Sequence, residues 1–89
     1  MKVIIDMVVA EMGEDYMAVP VGENADAFHG VIRFNETGKM IWQGIADGLD
    51  EDQIADKIVK EYEGVSLEQA EGSVKKIVGI LHEAGIIEI

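Results

Sequence analysis

Two histidines, His29 and His82, and a run of carboxylates at Asp47, Asp50 and Asp52 are the side chains of this 89-residue chain best suited to hold a metal or move a proton. An imidazole does either job only with partners at defined spacing, and neither histidine has a second ligand near it in sequence. His29 sits beside Gly30 in a polar segment, and His82 falls in the last turn of an expected helix, where a cation suits the helix dipole. The run DGLDEDQIAD (Asp47–Asp56) brings oxygens together as a calcium loop does. It lacks the D-x-D-x-D-G order and the closing glutamate of such a loop, and Asp50 is better used as a helix cap. The absence of cysteine excludes disulfides, thiolate catalysis, iron–sulfur clusters and cysteine zinc sites. The glycines are scattered as caps and turns, with no phosphate-cradling or dinucleotide fingerprint, and no Ser/His/Asp set stands out. The expectation is a protein without catalysis, metal or cofactor.

Charge narrows the partners. Eighteen acidic residues face seven basic ones, for a net charge of −11. A phosphate backbone is repelled by such a field, because nucleic-acid binding depends on Lys and Arg displacing counterions. A neutral or basic partner is favoured. No apolar run approaches the roughly 20 residues of a membrane-spanning helix. The N-terminal apolar stretch is broken at Asp6 and has no small-residue cleavage site, so no membrane contact and a cytoplasmic location are expected. With 48% apolar residues, the chain can fill one compact core, a single domain over residues 1–89.

The elements that would position any site read as strands first and helices afterwards, the order of an α+β fold. Val3–Met12 and Tyr16–Val21 flank the turn sequence MGED and form a hairpin, with Pro20 at an edge or strand end. A polar loop, Gly22–Gly30, leads to a third strand at Val31–Asn35. Three helices follow. Asn35, Asp50 and Ser66 are their caps, Gln53 and Gln69 stand at capping-box positions, and Gly48, Gly64 and Gly85 end them. In the second helix Ile54, Ile58 and Tyr62, with Ala55 and Val59 beside them, make the apolar face. In the third, Leu67, Ala70, Val74, Ile77, Val78 and Leu81 make the buried stripe. Ile80 lies about 100–120° to one side of Leu81 and Val74, beside Ser73, Lys76 and Ala84, and widens the apolar arc beyond what one packing partner requires. The tail IIEI (Ile86–Ile89) is extended and packs back on the core. A hairpin, a third strand and three helices are the parts of a winged helix-turn-helix variant.

The segment FNETGKMIWQGIADG (Phe34–Gly48) carries the only tryptophan, Trp42, which packs the first helix onto the sheet. In order along the chain come Asn35-Glu36-Thr37-Gly38, Ile41-Trp42, Asp47-Gly48, Gln53-Ile54-Ala55, Tyr62 and Gly85-Ile86-Ile87. This ordered set resembles the PqqD-like family from about Gly30 onward, with Phe34 where the family usually has leucine. The resemblance implies three antiparallel strands and three helices, the recognition element of ribosomally made, modified peptides. It also implies a non-enzymatic peptide chaperone. Such a protein binds the leader segment of a precursor peptide and brings it to a modifying enzyme, often a radical S-adenosylmethionine (SAM) protein.

In this family the leader is added as an extra strand beside the third strand, in a groove walled by the third helix. Carried onto this chain, the edge is Val31, Ile32, Arg33, Phe34 and Asn35, and the wall is Ser73, Lys76, Ile77, Ile80 and Ala84. Ile32 and Phe34 point inward, while Val31, Arg33 and Asn35 face the other way. Arg33 and Lys76 are suited to leader carboxylates. The alternatives are a DNA-binding winged helix, which asks for a recognition helix richer in Arg and Lys, and a general protein-interaction domain. The free strand edge admits either a monomer that takes a peptide or a strand-paired homodimer.

Overall fold

Alternating apolar residues in the N-terminal stretch produce the hairpin. The computed structural model describes residues 1–22 and 31–89, so the polar loop beyond Gly22, with His29, lies outside the described residues. The elements are β1 (Lys2–Val3), β2 (Asp6–Met12), β3 (Asp15–Val21), β4 (Ile32–Phe34), α1 (Glu36–Ala46), α2 (Glu51–Glu61), α3 (Leu67–Glu83) and β5 (Ile87–Glu88). β2 and β3 pair antiparallel from Asp6 opposite Val21 to Met12 opposite Asp15. The turn between them has Gly13 at φ +65°, the positive angle that a type II′ turn demands at its first central residue.

β4 pairs antiparallel with the other side of β3, Tyr16 opposite Phe34 and Ala18 opposite Ile32, which gives the order β2-β3-β4 and leaves β4 at an edge. Period-two alternation sorts the sheet. Met7, Ala18 and Phe34 are buried on the inner face, while Val8, Met12, Val19 and Arg33 are exposed on the other. Sheet and helices give the expected mixed α+β architecture.

The first strand departs from expectation. It breaks at Ile4-Ile5, and β1 pairs instead with the C-terminal β5, Lys2 opposite Glu88 and Val3 opposite Ile87. The Ile86 carbonyl accepts from the Ile4 and Ile5 amides at 2.8 and 3.2 Å. The tail is therefore a strand in a second sheet, held where Ile5, Ile86 and Ile87 are buried together.

The helix boundaries follow their caps. Asp50 and Gln53 exchange side-chain and backbone hydrogen bonds at 2.8 and 2.9 Å, and Ser66 and Gln69 do so at 3.1 and 3.0 Å. Asp50 thus spends a carboxylate oxygen on capping α2. Ile41, Trp42, Ile54, Ile58, Val74 and Leu81 form the centre of the core. Leu67 is exposed rather than part of the α3 stripe, because it occupies the first helical turn, ahead of Ala70 where the helix first meets the core. Val59 is exposed too, on the flank of α2 away from Ile54 and Ile58. Among the described residues, no helix is long and apolar enough to cross a membrane.

Tyr62, the C-cap of α2, packs half-buried against the core. Burial first, and then the charge and hydrogen bond of the Glu36 carboxylate, raise its phenol above the ordinary tyrosine value. The neutral phenol is favoured in the folded state, so its contribution is complete below the unfolded value of about 10 and is lost as the pH rises from there through the folded value. Urea unfolding across that alkaline range is expected to show stability falling more steeply for the native chain than for Tyr62→Phe.

Candidate functional site

A single residue connects β4 to α1, and that economy builds one end of a groove. Asn35 stays extended at φ −80° and ψ −177°, and its Oδ1 accepts a hydrogen bond from the Gly38 amide at 2.8 Å. A Cβ on residue 38 would lie 3.1 Å from Phe34 Cβ and Cδ1 and 3.3 Å from the capping oxygen. Glycine is thus favoured by close approach, since a larger residue would need the buried Phe34 or the capping Asn35 to give by a few tenths of an ångström. Gly38→Ala is expected to lose about 1 kcal/mol net, an overpacking cost of about 2 kcal/mol outweighing a helix-propensity gain of about 1 kcal/mol, and to lower the urea midpoint.

Beyond that turn lies a cavity of about 350 Å³, at the low end of the size range of ligand pockets. Arg33, Phe34 and Asn35 line it from the β4 side, and Ser73, Lys76, Ile77 and Ile80 from α3. These are the anticipated residues that the fold brings together. Val31, Ile32 and Ala84 do not line it. Val31 is exposed just ahead of the strand, Ile32 packs against the core, and Ala84 is the C-cap of α3 beyond the groove's end. Thr37, Gly38 and Ile41 line it without having been anticipated. Their signal was the one-residue connection at Asn35, which forces the first turn of α1 to share an end with β4.

The third strand is also shorter than expected, Ile32–Phe34, because Asn35 leaves the ladder to cap α1. On its inner side Phe34 joins Ile41, Ile77 and Ile80 as apolar wall, with the Lys76 ammonium exposed at the rim. Arg33 borders the cavity along the strand, but it stands opposite Met17, and its guanidinium reaches Asp15 at 3.8 Å on the outer face. The two groove cations therefore sit on opposite faces of the sheet's plane.

Among the described residues, no Asp or Glu lines this cavity, although the chain carries 18 acidic residues. A smaller cavity of about 120 Å³ between α2 and α3 is the reverse, with Glu51, Asp52 and Glu71 around a single Lys75 and the buried Val74. A winged helix that binds DNA would need that region basic. His82, in the last turn of α3, is exposed and does not line either cavity.

Comparison with known proteins agrees with this architecture. The profile of the family described as Coenzyme PQQ synthesis protein D (PqqD) matches residues 19–87. No curated protein sequence matches the chain. A solved structure described as TbiB1 in complex with the TbiA(beta) leader peptide has the same fold, with a TM-score of 0.76 at 19% identity over 99% of this chain and 95% of that one.

Proposed function

The chain belongs to the PqqD family, and on that footing we propose that it is a non-enzymatic peptide chaperone acting over its whole length, residues 1–89, as one domain. It binds the leader segment of a ribosomally made precursor by adding that segment as a strand to β4, and presents the precursor to a modifying enzyme, a radical SAM protein in our reading. The work is cytoplasmic and needs no cofactor.

The observation that carries this reading is an edge strand bordering an apolar cavity whose far wall is α3. A sheet edge offers unpaired backbone N–H and C=O groups, and an extended peptide satisfies them while side chains beside the edge select its sequence. The fold is shared with a protein whose structure was solved with a leader peptide, which supports the same role for this groove. Val31 and Ile32 supply the approach to the edge, and Ala84 the far end of the wall. The same edge can pair with a second copy, so peptide capture and strand-paired dimerisation compete for it.

The test is fluorescence polarisation with the labelled peptide encoded by the nearest small reading frame, and a labelled DNA duplex beside it. Saturable binding of the peptide alone is expected. Binding of the duplex with no response to the peptide would replace this reading with the DNA-binding one.

A further inference from the structure

A strand shows successive side chains to opposite faces, so a peptide added to β4 is read by two different surfaces. Toward the cavity it meets Ile77 and Ile80, with Lys76 exposed at the rim. Toward the outer face it meets Arg33, whose side chain is 72% exposed and whose contact to Asp15, itself 53% exposed, is long at 3.8 Å. An exposed pair of that length holds weakly, so a peptide carboxylate can take Asp15's place at little cost. On the cavity side, the described lining contributes no negative charge to oppose a carboxylate at Lys76.

Resting on the strand-addition reading above, we propose that the groove selects its leader by parity. Large aliphatic side chains at alternate positions fill the cavity. A carboxylate at an even distance from that anchor pairs with Lys76, and a carboxylate at an odd distance pairs with Arg33. The substrate class is an acidic, amphipathic strand with charges on both of its faces. An acidic protein thus takes an acidic peptide, because Lys76 and Arg33 are placed on either side of the inserted strand.

Selection from a displayed library of random peptides about 12 residues long, enough to overrun a three-residue strand, tests the rule on the full chain. The native chain should enrich alternating aliphatic residues with Asp or Glu at both parities. Lys76→Glu should exchange acidic for basic residues only at the anchor's parity, by tenfold or more in frequency, and Arg33→Glu only at the opposite parity. Both residues are exposed, and a urea melt of each variant confirms its fold. Loss of acidic preference at both parities in either variant would overturn the rule in favour of a general charge effect. Enrichment of alternating aliphatics without acids would also overturn it, leaving strand capture intact. No enrichment of any peptide on the native chain would sink strand capture itself and the parity rule with it.

Discussion

Replacing Ile80 with glutamate is expected to weaken leader binding by about ten- to a hundredfold while the fold melts almost as before. Ile80 is 43% exposed and lines the cavity from the widened flank of α3, away from the buried stripe of Val74, Val78 and Leu81. Fully burying an isoleucine side chain is worth about 1.5–3 kcal/mol, and roughly half of that remains to be gained when a peptide covers it. A glutamate forfeits the gain and sets a negative charge against an acidic strand. Together these amount to about 1.4–2.8 kcal/mol, one to two factors of ten in affinity. An exposed site contributes little to folding, so the stability change should stay within about 1 kcal/mol. Leu67→Glu is the matched control. Leu67 is 47% exposed on the same helix but does not line the cavity, so its replacement should leave peptide affinity unchanged. Polarisation titrations and urea melts of the two variants side by side separate a groove effect from a loss of helix.

Trp42→Ala should act in the opposite way and weaken the fold itself. The indole is 3% exposed within the core cluster, and truncating such a side chain costs about 3–5 kcal/mol. Native domains hold only about 0.05–0.15 kcal/mol per residue, so the loss ranges from about a quarter to the whole of the stability of a chain this short. Thermal unfolding should drop by tens of degrees or lose its cooperative transition. Leader binding would fall with it, in proportion to the folded fraction, whereas Ile80→Glu loses binding from a folded protein. A Trp42→Ala chain with an unchanged melting curve would mean that α1 is not anchored through this side chain.

These two residues mark how far sequence alone reaches. Helix starts and stops were legible because their signals are local. Asn35, Asp50–Gln53 and Ser66–Gln69 cap where they stand in sequence, and Gly48, Gly64 and Gly85 adopt the positive φ of helix ends. The β1–β5 pairing was not legible, since two-residue strands at opposite ends of the chain carry no periodicity to find. Leu67 fits the stripe by spacing and is released from it by its place in the first turn, a tertiary matter. For the groove, strand alternation gave the outward Arg33 and the inward Phe34, and the extra apolar residue at Ile80 pointed to a second function for that flank. Thr37, Gly38 and Ile41 escaped because their part depends on how sharply the chain turns after β4. Asp15 escaped because its contact with Arg33 runs across strands.

The central claim is that β4 receives a peptide strand beside α3. Amide-resolved NMR of the full chain, titrated with the neighbouring precursor peptide and followed by hydrogen exchange, addresses it most directly. The account predicts saturable shifts in β4 and in the Ser73–Ile80 flank of α3, with slowed exchange at the β4 amides that point away from β3. Shifts confined to the acidic surface between α2 and α3, with β4 exchange unaltered, would contradict it.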